Sequence, residues 1–125
     1  MKKRSLFLFF ALCAMSASIL ESCKYNNQEE LHPNCDTTGV TYSGTVVPIL
    51  QANCYRCHGD ASNTGSGGII LQDYNVLKGF AADGQLYGNI AHLPGFHNMP
   101  YDGGKLADCD IAKIKRWIDN GYPNN

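Results

Sequence analysis

The segment CYRCH, residues 54–58, packs two thiols and an imidazole into five positions. Residues three and four apart share one side of a helical turn, so Cys54, Cys57 and His58 face the same way there. A fold that carries this segment must turn that side toward something able to use all three groups. Structural zinc, a thiol–disulfide redox pair and covalently attached haem each use thiols and imidazoles.

The start of the chain sets the compartment. Lys2, Lys3 and Arg4 precede an apolar run from Leu6 to Met15, followed by small residues and Cys23. This is the layout of a secretory signal, and the apolar run is short for a membrane span of about 20 residues. LESC, residues 20–23, resembles a lipobox with Leu20 at minus three and Ser22 at minus one. Glu21 departs from the small or apolar residue usual between them. Residues 1–22 therefore read as a lipoprotein-type signal peptide, with lipid on the Cys23 thiol. An uncleaved anchor or ordinary cleavage would leave the domain in the same compartment. The polar run KYNNQEELHPN makes residues 23–34 a flexible tether, and residues 35–125 are the globular domain. The expected location is outside the cytoplasm, in a bacterial periplasm or at an outer membrane, held by the lipid.

From Cys23 onward there are seven Lys and Arg against ten Asp and Glu, with no basic block, which argues against a nucleic-acid partner. Of the six cysteines, Cys13 lies in the signal, Cys23 would carry lipid, and two belong to CYRCH. Cys35 and Cys109 remain, an even pair in an oxidising compartment. A disulfide between them would close a long loop, worth about 4 kcal/mol on the chain-entropy model. A domain this small benefits from such a staple.

The domain reads as all-α, three or four short helices joined by long glycine-rich loops. SGTVVPILQANCYRCH is a helix with Val47, Leu50 and Cys54 on one side and Pro48 at its start. ASNTGSGG, residues 61–68, is a loop. LQDYNVLKGFAAD and GQLYGNIAH are two short helices parted near Gly84, and LPGFHNMPYDGGK is a second irregular segment. ADCDIAKIKRWIDNGYP is the clearest helix. Ile111, Ile114 and Ile118 make its apolar stripe beside Trp117, with acidic residues early and basic ones late. Loops this long in so small a domain imply an organising group at the centre.

C-x-x-C-H is the attachment pattern of c-type haem. Each thiol can add across a haem vinyl group to form a thioether, with His58 placed to reach the iron. Structural zinc needs four converging ligands, usually two paired knuckles, and no second C-x-x-C or H-x-H lies downstream. A thioredoxin-like pair needs a helix start within a βαβ pattern, and no strand pattern is present. The second axial ligand could be Met99, His92 or His97. Met99 sits in a polar loop before Pro100, where a methionine has little reason to be core filler. A His/Met pair raises the reduction potential relative to His/His and suits electron transfer.

PILQANCYRCHG, GGIILQDYNVL and MPYDGGKLADCDIAKIKRWIDNG together resemble a small bacterial class I cytochrome c over residues 44–125. The resemblance implies a cytochrome c-like fold around one covalent haem c, held by Cys54 and Cys57. It implies His58 as proximal and Met99 as distal iron ligand, and a packing of Val47 or Leu50 against Ile114, Trp117 or Ile118. Ala107 stands where a serine cap is common in similar sequences; Asp108 is the alternative cap. With both axial positions filled by protein, iron has no open site, so the expected role is electron carrier between redox partner proteins rather than enzyme. The alternatives are a haem peroxidase or gas-sensing domain with a displaceable Met99, and an accessory haem subunit of a larger complex.

Overall fold

Helical winding begins at Thr41, whose hydroxyl accepts from the Gly44 amide at 3.1 Å. That satisfies one of the donors a helix start leaves unpaired. The chain passes through a π-helical turn, Tyr42–Val46, in which the Val46 amide reaches back to the Thr41 carbonyl at 3.1 Å. It continues into α1 (Val47–Asn53), with Pro48 in the first turn, and after a break at Cys54 into α2 (Tyr55–His58). α3 (Tyr74–Ala82), α4 (Gln85–Ile90) and α5 (Asp108–Asp119) follow. The structure is a computed structural model and describes residues 35–61 and 65–125. The expected signal peptide, tether and lipidation site Cys23 lie outside the described residues, as does the centre of the 61–68 loop. Among the described residues the fold is all-helical, with no strand. No helix among them is long and apolar enough to cross a membrane.

One apolar core takes a side chain from most of these elements. Val46, Leu50, Leu77, Ile114 and Trp117 are fully buried in it, with Leu86 and Ile90 beside them; each contributes about 1.5–3 kcal/mol by leaving water. α5 packs against the π-helical turn and α4, and α3 packs against α4. Two expectations shift by one residue. Val46, not Val47, takes the inward place ahead of Leu50, because the π-helical turn starts straight after its cap Thr41 and Val46 is already in helical register. On α5 the stripe centres on Trp117, while Ile118 is only half-buried at its margin. The Trp117 ring stacks on Tyr42 at 5.8 Å, and its Nε1–H donates to the Pro123 carbonyl at 2.9 Å.

The helix ends are closed differently. Asp73 caps α3, its carboxylate accepting from the Asn75 and Val76 amides at 2.7 and 3.1 Å. Gly84, at φ +74°, turns the chain from α3 into α4. α5 starts at Ala107 with no side-chain cap. Asp108 does not replace it: it lies inside the first turn, where it accepts from Lys105 Nζ at 3.2 Å. The other end of α5 is a Schellman motif. The Gly121 amide donates to Ile118 O and the Tyr122 amide to Trp117 O, both at 2.9 Å, with Gly121 at φ +81°. A disulfide joins Cys35 to Cys109, with Cα atoms 5.4 Å apart, and pins the segment before Thr41 to the first turn of α5.

Candidate cofactor site

α1 and α2 do not run straight through CYRCH. The break at Cys54, which ends one helix and starts the next, sets Cys54, Cys57 and His58 on the wall of a cavity of about 540 Å³. That volume lies in the range of cofactor-sized sites, about 300–1,000 Å³. Ile69, Leu71, Phe80, Leu86, Ile90 and Leu106 give it largely apolar walls. Met99 lines the same cavity, so the four residues that sequence assigned to one iron site share one space.

His58 is fixed by the segment that follows it. Its Nδ1 lies 3.0 Å from the Ile69 carbonyl. A carbonyl only accepts, so Nδ1 carries the hydrogen, and in the neutral ring the lone pair is then on Nε2, the arrangement of a ligating imidazole. The Leu71 amide donates to the His58 carbonyl at 2.8 Å, which holds the backbone as well. Neither cysteine is in a disulfide. Burial pushes the Cys54 thiol up to about 11, the opposite direction from the lowered pKa of a redox-active thiolate. Among the described residues, no group of three or more His, Cys, Asp or Glu side chains stands close enough to share a metal ion.

The segment after α4 brings in the methionine. Asn89 holds it twice: its side-chain Oδ1 accepts from the His97 amide at 3.0 Å and its carbonyl from the Met99 amide at 3.1 Å. Phe96 packs on Gly88, at a place where any β-carbon would overlap its ring. The three candidates for a second ligand are separated by geometry. Met99 and His97 line the cavity, the latter more exposed. His92 does not line it. Its Nε2–H donates to the Met99 carbonyl at 3.1 Å, so this imidazole positions the methionine backbone.

At the mouth, Arg56 forms an ion pair with Asp102, and Tyr101 stands 90% exposed. The carboxylate beside it raises the Arg56 pKa further, so the guanidinium stays charged. Ile69, Asn89 and the Arg56–Asp102 pair were not singled out from sequence. A backbone carbonyl leaves no sequence signal, and Asn89 reads as one more polar helix residue; only the charged pair could have been noticed, as opposite charges beside two proposed ligand segments. No known protein family, curated protein or solved structure matches the chain.

Proposed function

We propose that this chain is a single-haem c-type cytochrome that carries electrons between redox proteins, exported and tethered by a lipid on Cys23. The observation that carries this reading is that Cys54, Cys57, His58 and Met99 line one largely apolar cavity of about 540 Å³. Interiors of small domains are close-packed, with few voids larger than a water molecule, so walls of this kind fit a flat apolar macrocycle. When bound, haem supplies the one-electron couple of its iron. The chain does the rest. Cys54 and Cys57 would hold the haem as thioethers, each S–H adding across one vinyl group. Nδ1–H on Ile69 O keeps the His58 ring oriented with Nε2 available. Asn89 and His92 hold the Met99 backbone at both its amide and its carbonyl. The apolar walls exclude water, and a soft sulfur with an imidazole as ligands would favour the reduced iron. The class I cytochrome c-like fold belongs to this same proposal, and the Cys35–Cys109 disulfide supports an oxidising compartment.

The test is spectroscopic. Full-length chain, expressed in cells that attach haem to C-x-x-C-H, is expected to hold haem that acid–acetone does not extract. Its ferric form should show the methionine–iron charge-transfer band, which Met99→Ala should abolish while haem stays attached. A band that survives the substitution would remove Met99 from the iron. Ready binding of carbon monoxide by unperturbed ferrous protein would favour a sensor or peroxidase over a carrier.

A further inference from the structure

Two of the stretches that wall the cavity lie far apart in the chain, the CYRCH turn and the segment after α4. These are held very differently. Ahead of Met99 the methionine segment hangs on α4, through the Leu93 amide on Gly88 O at 3.0 Å and the two bonds to Asn89. Past Met99 the chain runs through Pro100, Tyr101, Gly103 and Gly104, all partly or well exposed, before Leu106 is buried again. A side-chain tie from this second half to the CYRCH turn is Arg56 with Asp102. Arg56 stands between the two cysteines and Asp102 three residues past Met99. Both line the cavity, and their side chains are 74% and 60% exposed, which puts the pair at the mouth.

We propose that Arg56–Asp102 is a clasp that sets how readily Met99 yields its place to an external ligand; this rests on the haem reading above. For a ligand to enter, residues 100–105 must swing away from the CYRCH turn, and that motion separates the two charges. An exposed pair adds little to global stability, so the clasp acts on the local opening of this segment and leaves folding nearly unchanged. Arg56 and Asp102 are positioning residues: they act on iron ligation only through the segment that carries Met99. Exposure also makes the clasp sensitive to salt, because counterions screen charges in open solvent.

The probe is imidazole, titrated into the ferric haem-loaded full chain at fixed pH and followed by loss of the methionine–iron band. Asp102→Asn is expected to tighten imidazole binding about two- to fivefold, the range an exposed pair supports. Thermal unfolding and far-ultraviolet dichroism should stay at wild-type values. Raising salt to about 1 M, where the Debye length falls to about 3 Å, should bring wild type toward Asp102→Asn and leave the variant unmoved. The exchanged pair Arg56→Asp with Asp102→Arg should return binding toward wild type. Lys105→Ala, which breaks an ion pair on the same segment that does not reach CYRCH, should have no effect. Equal imidazole affinity in wild type and Asp102→Asn, with the methionine band present in both, overturns the clasp alone. A wild type without that band overturns the haem ligation and the clasp together.

Discussion

Gly88 lacks a side chain where the Phe96 ring takes the space. The residue sits inside α4, where alanine would otherwise be preferred by about 1 kcal/mol, so Gly88→Ala pits helix propensity against overlap. Overpacking costs about 1–3 kcal/mol, and the overlap here involves three ring atoms of Phe96. Gly88→Ala is therefore expected to lower stability by about 1–2 kcal/mol in urea unfolding. In a Phe96→Ala background the same substitution should turn neutral or stabilising, and a cost that persists there would put its origin elsewhere. The position also marks a limit of sequence reading. CYRCH carries the proposed chemistry in five letters, since thiols and imidazole at that spacing have few uses. Gly88 and Asn89 do their work through a ring eight residues on and through backbone groups, so their letters carry no sign of it. For the same reason His92, a plausible ligand by residue type, is a backbone-holding group by geometry.

At the scale of elements, α3, α4 and α5 were legible from apolar spacing and from the glycines that bound them, Gly84 before α4 and Gly121 after α5. The register of the first helix was not, since Pro48 marks a plausible start while the winding begins at Thr41 through a π-helical turn that has no compositional signature. That first helical region carries a pH dependence. Burial raises the pKa of Tyr42, and burial followed by the nearby Tyr42, Cys54 and Asp60 pushes Tyr55 up to about 12. In the unfolded chain both phenols titrate near 10. Between those values the native state keeps protons that the unfolded state has released, so stability must fall as pH rises through 10 and onward to 12. Below 10 both states are protonated and this contribution is fully present. Urea midpoints measured from pH 9 to 11.5 should decline, and Tyr55→Phe should flatten the decline. A midpoint unchanged over that range would mean that neither phenol is desolvated.

For the whole molecule, an all-helical domain with long loops could be read from the absence of strand patterns and the run of glycines, but the closing of those loops around one cavity could not. Closure depends on contacts between residues far apart in sequence, Leu71 with His58 and Arg56 with Asp102. The Cys35–Cys109 disulfide spans 74 positions and encloses all the cavity residues. Its effect falls mainly on the unfolded chain, which loses freedom when a loop of that length is closed, by about 4 kcal/mol on the chain-entropy model. Neither cysteine lines the cavity. Replacing both by alanine is therefore expected to lower the unfolding free energy by about 3–4 kcal/mol while leaving the spectrum of protein loaded with the proposed haem as in wild type. Dithiothreitol should move wild type to the same midpoint and leave the double variant where it is. A loss of under about 1 kcal/mol, with the bridge verified by mass in wild type, would mean that the unfolded chain already keeps its two ends together. A changed spectrum would mean instead that the start of α5 is coupled to the cavity through Leu106, the buried wall residue three positions before Cys109.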